Sequence, residues 1–281
     1  MKFLRSSAFA LLAVCSFSAC LQEEKVIKLK TDGSGTVEET LVMSKEVIAQ
    51  MKQMTAGFGA LLQGKGKADG AGAAPFQVMD EQKLRDAAER MGDGVTFVSA
   101  KPLSTASGEG FTAVYSFADI NKLKIDQNPG SNMPGADNPA LKMANKGKKE
   151  PVRFEFTKGA PASLTVKLPQ AKTSDLPKER PQKPPGGEEM AMMMMQQMFK
   201  DMKISLAIEV AGRTVQTNAE YKDASRVTLM EMDFNKVLAN PEKFKALSAA
   251  QPKTIEEAKS LVKGIEGIKV ETQPEVTVKF Q

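Results

Sequence analysis

The sequence predicts an α+β fold of mostly antiparallel sheets with packed helices, from three observations. Several short stretches alternate apolar and polar residues with period two, as Phe111, Ala113, Tyr115 and Phe117 do against Thr112, Val114 and Ser116. These stretches come in neighbouring pairs around Gly- or Asp-containing turns, which suits antiparallel pairing. Helix-period stretches stand between the pairs instead of alternating with single strands, so strands and helices are segregated.

Val26, Ile27 and Leu29 begin the first strand, and Thr36 to Met43 returns as the second. Between them Asp32-Gly33-Ser34-Gly35 is a turn, because glycine reaches positive φ at little steric cost. Ser44 can cap a helix whose Val47, Ile48, Met51, Met54, Phe58, Leu61 and Leu62 recur at helical spacing. Gly64 to Pro75 is a Gly/Ala-rich loop. Asp80 caps a second helix with Leu84, Ala87, Ala88 and Met91 inward. Val95 to Leu103 and Gly110 to Ile120 form a strand pair. The next stretch, 126–150, is rich in Pro, Gly, Asn and Lys and is expected to be a mobile linker.

A second unit, 151–281, then follows the first, 20–125. Val152, Phe154 and Phe156 lie on one strand, with Leu164, Val166 and Leu168 on its partner. Residues 170–187 read as a flexible Pro/Lys segment, and Glu188 to Met202 as a helix. Ile204, Leu206, Ile208 and Val210 alternate, Ala211-Gly212-Arg213 is expected to turn, and Thr214 to Tyr221 to pair back. Arg226 to Phe234 is a further strand. Asn240-Pro241 starts a short helix, and Thr254 with Glu257 forms a capping box for another that Gly264 ends. Ile268, Val270, Val276, Val278 and Phe280 are strand material. Lys25 to Met43 and Lys203 to Tyr221 share a strand–turn–strand pattern, and Tyr115 to Leu123 echoes Met230 to Leu238. The echo is assigned to two hairpins of common pattern, with two similar units as the alternative.

The leader is the most informative segment for location. Lys2 and Arg5, the apolar run Ala8 to Val14 and the closing Phe17-Ser18-Ala19-Cys20 have the order of a secretory signal over residues 1–19, too short to span a bilayer. The last four residues resemble a bacterial lipobox, with Phe17 where Leu is usual. That resemblance implies cleavage between Ala19 and Cys20 and acyl chains, palmitate among them, on Cys20. It also implies an envelope protein. Leu21 lacks the Asp that commonly retains such proteins at the inner membrane, so the outer membrane is expected, facing the periplasm or the exterior.

Composition limits the chemistry. With Cys15 in the leader and Cys20 at the lipid site, the mature chain has no thiol for a disulfide or a thiolate metal site. The chain has no His, which removes Ser-His and Cys-His hydrolases and the commonest transition-metal ligand. Its 39 basic and 34 acidic residues are spread along the chain, without the basic stripe that a nucleic-acid partner requires.

Lys28-Leu-Lys-Thr-Asp-Gly-Ser-Gly-Thr-Val37, soon after a lipidated Cys, resembles the opening hairpin of LppM-like bacterial lipoproteins. Gly212-Arg-Thr-Val-Gln-Thr-Asn-Ala219 with Val227-Thr-Leu229 is similar to a later segment of that group. The group often has a C-terminal membrane helix, and this chain ends at Phe280-Gln281 without one. The resemblance implies an envelope α+β domain and no reaction.

The run Met190, Met192, Met193, Met194, Met195, Met198 and Met202 is the unusual feature of the mature chain. Thioethers fill irregular gaps, form adaptable binding surfaces and bind Cu(I); only Met195, Met198 and Met202 share one helical face, a row that suits packing, the first reading, as well as it suits a metal, and copper sites often add the His that this chain lacks. The candidate binding surface is Met192, Met193, Met194, Met195 and Met198, the helix acting as a lid over an apolar groove. Gly59 to Lys65 matches the start of a phosphate loop, but Gly66 replaces the Ser or Thr that would hold magnesium. Asp32 to Gly35 lacks the remaining ligands of a calcium loop. No catalytic residue, metal ligand or cofactor is assigned. The expected role is non-catalytic: binding a lipid or apolar ligand, or an envelope protein. A carboxylate-based envelope hydrolase and Cu(I) handling are the alternatives.

Overall fold

A computed structural model describes residues 21–53, 76–106, 108–126, 150–170, 190, 193, 196, 199–250 and 252–281. The chain begins with an antiparallel hairpin, β1 (Leu21–Leu29) and β2 (Gly35–Ser44), followed by helix α1 over 45–53. At their turn the Asp32 carboxylate accepts from the Ser34 amide at 2.9 Å and the Ser34 hydroxyl at 2.7 Å. Gly33 takes φ +91°, the conformation for which glycine is needed. Ser44 caps α1 by accepting from the Val47 amide.

Helix α2 (Glu81–Arg90) is capped by Asp80 and buries Leu84, Ala87 and Ala88, as their spacing predicts. Strands β3 (Thr96–Ser104) and β4 (Gly108–Phe117) pair antiparallel, and a 3-10 turn (Ile120–Lys122) leads to β5 (Lys124–Ile125). After it come β6 (Val152–Thr157), β7 (Ala162–Lys167), β8 (Lys203–Val210), β9 (Thr214–Thr217), β10 (Lys222–Asp223) and β11 (Arg226–Asp233). Three short helices, α3 (Phe234–Leu238), α4 (Pro241–Ala249) and α5 (Ile255–Val262), precede β12 (Ile268–Val270) and β13 (Glu275–Phe280). Asn240 caps α4, and Thr254 caps α5 through the Glu257 amide. The Glu257 carboxylate reaches back to the Lys253 amide, one residue beyond its usual target in a capping box.

The fold is α+β with mostly antiparallel sheets and few helices. The first sheet has the order β10-β11-β8-β1-β2-β4-β3, with β12 also on β11, and the second the order β5-β6-β7-β13-β9. Among the described residues one pairing is parallel: β1 runs beside β8, Gln22 facing Lys203 and Leu29 facing Val210. Strands from both sides of 126–150 therefore share each sheet. One apolar cluster joins them, with Ile27, Val37, Tyr115 and Ile208 from the first sheet and Leu164, Val166, Val278 and Phe280 from the second.

The expected hairpin Lys203 to Tyr221 does not form. After Val210 the chain leaves the first sheet, and β9 pairs with β13 in the second; β11 takes the place beside β8. The turn is fixed by a distant partner: Arg213 and Gln281 exchange backbone bonds of 2.8 and 3.1 Å. The echo between Lys25 to Met43 and Lys203 to Tyr221 is thus not that of two hairpins. The other echo has a structural counterpart. Asp119 and Asp233 each cap a short helical turn at the end of a strand. Two residues on, Asn121 accepts from the Phe156 amide at 2.7 Å and Asn235 from the Asp201 amide at 2.9 Å. Each Asn thus ties its turn to a separate segment.

Candidate functional site

Odd-numbered residues of β1 face the core, since side chains alternate between the faces of a strand. Glu23 and Lys25 share that face with Ile27 and Leu29, and Glu39 shares the equivalent face of β2 with Val37 and Leu41. Lys25 and Glu39 are register partners. The result is a charged cluster inside the first sheet: the side chains of Glu23, Lys25 and Glu39 are 3%, 7% and 1% exposed. The Lys25 ammonium donates to Glu23 and lies 3.4 Å from Glu39. The Tyr115 hydroxyl donates to the second oxygen of Glu39 at 3.4 Å. The ring of Phe97 meets Tyr115 edge-on, and the Arg85 guanidinium lies 4.7 Å over Phe97, which fastens α2 to this part of the sheet.

The environment fixes the protonation of both central groups. Burial on its own pulls the Lys25 pKa down, but the charges and hydrogen bonds of Glu39 and Glu23 outweigh it and hold the pKa well above its ordinary value. Burial raises the Tyr115 pKa, the Glu39 charge and hydrogen bond add to that, and Arg90 opposes it. Lys25 therefore stays an ammonium and Tyr115 a phenol at neutral pH. A charged lysine is no nucleophile, and a protonated tyrosine is no base. The cluster acts as a closed ion pair within the sheet.

Both pKa values are raised by folding, above 10.5 for Lys25 and above 10.0 for Tyr115, so their contribution is whole below those values and is lost as pH rises past them. The protein should keep its stability up to about pH 10 and then unfold cooperatively, with phenolate absorbance appearing together with unfolding. Tyr221, the second tyrosine, is also raised, mainly by burial, so a Tyr221→Phe variant isolates Tyr115. A Tyr115 phenol that ionises near its ordinary value in a still-folded Tyr221→Phe protein would contradict this account.

The sequence-predicted candidates fall partly outside the described residues: Ala19, Cys20, Met192, Met194, Met195 and Met198, and the segment Gly59 to Lys65, lie there. Met190 and Met193 are helical and 48% and 62% exposed. Gln196 and Phe199 are helical too, and in the turn after Phe199 Asp201 has φ +59°. Phe199 stacks on Phe234 of α3 at 4.8 Å, and the Phe234 amide donates to the Met202 carbonyl at 3.0 Å, so Phe199 and Met202 are tied to the start of α3. The Asp32 turn serves the hairpin; its carboxyl is held below the ordinary range by the Ser34 hydroxyl and amide. Among the described residues no three of His, Cys, Asp and Glu converge as a metal site would require, and no helix is long and apolar enough to cross a membrane.

The Asn of the segment resembling a returning strand, Asn218, has a structural task. It donates to Gln273 and to the Glu275 carbonyl and accepts from the Thr277 amide and hydroxyl, tying the end of β9 to β13. Sequence reasoning missed the Glu23–Lys25–Glu39 cluster, although its signal was present: charged residues at the core parity of two adjacent strands.

No protein family matches the chain, and no curated protein matches it. A solved structure with some likeness is the NMR structure of the folded domain of LppM from Mycobacterium tuberculosis. The two share 10% identity at a TM-score of 0.30, over 99% of this chain and 95% of that one. At that distance the likeness assigns neither family nor function.

Proposed function

We propose that this chain is a bacterial envelope lipoprotein, held at the outer membrane by acyl chains on Cys20. It acts without catalysis, by presenting an apolar surface to a lipid, another apolar ligand or an envelope protein. The observation that carries the binding part is the exposure of Met190 and Met193, both of them helical. Exposed, flexible thioethers adapt to varied apolar partners. The anchoring part rests on the leader and its lipobox-like end.

Anchoring has a direct test. Each buried methylene contributes about 0.8 kcal/mol, and two or more chains make membrane attachment nearly permanent. The protein is expected in the membrane fraction, with an N-terminal peptide that carries the mass of its acyl chains. Cys20→Ser should move it to the soluble fraction. An unmodified N-terminal peptide, with the Cys20→Ser protein fractionating as the parent does, would refute the anchor. Native mass spectrometry of the acylated protein tests binding: a discrete added mass that Met193→Glu removes shows a ligand held by the methionines, and the value of that mass separates a lipid, which supports this reading, from copper, which overturns it.

A further inference from the structure

We propose that Asp93-Gly94, in the turn between α2 and β3, is a covalent modification site. The Asp93 side chain closes on the Gly94 nitrogen, and the chain comes to carry an isoaspartate that a protein carboxyl methyltransferase accepts. The Gly94 amide nitrogen attacks Cγ of the protonated Asp93 carboxyl. The N–Cγ bond forms, the C–OH bond breaks, and the hydroxyl leaves with the amide proton as water. A second water opens the cyclic imide at either carbonyl. Opening at the former main-chain carbonyl routes the chain through the Asp93 Cβ and frees an α-carboxylate, with no net change in mass. A following glycine favours the first step, because no side chain stands beside the attacking nitrogen.

The described residues hold a second Asp-Gly pair, Asp32-Gly33, which shares this chemistry and differs in structure; Asp69-Gly70 lies outside them. The Asp32 carboxylate accepts from the Ser34 amide and hydroxyl. The Gly33 amide, the nucleophile there, donates to the Lys30 carbonyl at 3.1 Å, and the Gly33 carbonyl accepts from the Ile120 amide at 3.0 Å. A Cβ on Gly33 would meet the Phe156 ring at 2.8 Å, so that ring lies against the turn. The Ser34 bonds also favour the ionised Asp32 carboxyl, which has no hydroxyl to lose. Asp93-Gly94 has none of these restraints. It forms the centre of a turn closed by the Val95 amide on the Gly92 carbonyl at 3.2 Å. Gly94 has φ +80°, as a type II turn requires at its third residue, and nothing lies within 4 Å of the place that a Cβ would take. Among the described residues the Gly94 amide has no hydrogen-bond partner. The Asp93 side chain is 89% exposed, and its pair with Lys122 at 3.4 Å is of the solvated kind that restrains little. Closure needs the reacting atoms within about 3–3.5 Å, and Asp93 is free to rotate into that geometry where Asp32 is not. The turn can also take the added methylene. Gly92, not Gly94, is packed on the protein: a Cβ there would meet the Lys122 carbonyl at 2.1 Å. The Met91 carbonyl accepts from the Lys124 amide at 2.7 Å, so the end of α2 stays anchored while the exposed tip lengthens.

The test ages the full chain in heavy-oxygen water at physiological temperature and mildly acidic pH, native and in urea. Mass spectrometry with electron-transfer fragmentation then distinguishes isoaspartate from aspartate in each peptide. In the native protein the Asp93 peptide is expected to gain isoaspartate several-fold faster than the Asp32 peptide, with one heavy oxygen entering at each event. In urea the two rates should converge. A protein isoaspartyl methyltransferase with labelled S-adenosylmethionine should methylate the aged native chain in the Asp93 peptide, and Asp93→Glu should remove that label. Equal rates at Asp93 and Asp32 in the native protein overturn the proposal. A preference for Asp93 that persists unchanged in urea traces it to the neighbouring sequence and overturns the structural assignment. Isoaspartate without heavy oxygen excludes the imide and does the same. An isoaspartate at position 93 that the enzyme leaves unmethylated in the native chain overturns the part of the proposal that makes this turn its substrate.

Discussion

Lys25→Met is expected to destabilise the protein by about 3–5 kcal/mol, the usual cost of removing one partner from a buried ion pair. Met matches the length of the lysine stem, so the loss reports the charge and not a cavity. Without the ammonium, Glu23 and Glu39 lose the partner that both share within the sheet. Lys28 on the same strand is the control. It pairs with Glu38 at 2.7 Å, but both side chains are solvent-accessible, at 46% and 35%. An exposed pair of this kind contributes about 0–1 kcal/mol, so Lys28→Met should be nearly silent. Urea denaturation of the two variants at neutral pH checks the contrast, because the residues differ chiefly in strand parity. Equal, small losses for both would show that the Lys25 cluster does not contribute as its burial implies.

That cluster also shows what a linear sequence conveys and what it withholds. The alternation in Gln-Glu-Glu-Lys-Val-Ile-Lys-Leu reveals a strand, and the core positions Ile27 and Leu29 put Glu23 and Lys25 on the buried face. The same rule puts Glu39 between Val37 and Leu41. Parity was thus legible, and the burial of the charges could have been read from it. Local chemistry was legible too: Ser44, Asp80, Asn240 and Thr254 cap the helices that their positions imply. Pairing across long separations was not. Nothing near Gly212 announces that Arg213 bonds Gln281, or that β1 has β8 as a parallel neighbour. A turn-like Ala-Gly-Arg between two strands is satisfied equally by a hairpin and by a crossing to another sheet. Only the competition among all strands for partners decides between them. Of the sequence-predicted surface, Met193 is exposed, while Cys20 and the other four methionines lie outside the described residues.

Long-range pairing leads to the largest expected effect: removal of residues 275–281 should abolish folding of the whole body, not only of its second half. β13 lies inside the second sheet, between β7 and β9, and its loss leaves both without that partner. Val276, Val278 and Phe280 are fully buried. At about 1.5–3 kcal/mol for each buried side chain the loss is roughly 5–9 kcal/mol, before the ladder hydrogen bonds are counted. The net stability of a native protein is only about 5–15 kcal/mol. The consequence should reach β1 and β2, because Ile27 and Val37 pack in the same cluster as Val278 and Phe280. Hydrogen exchange measures this residue by residue. In the intact chain the β2 and β4 amides are expected to share the protection of β7; in the truncated chain all three should exchange freely. Persistent protection of β2 and β4 after truncation would show that residues 20–125 fold as an independent unit, and that the shared core is not what holds the first sheet together.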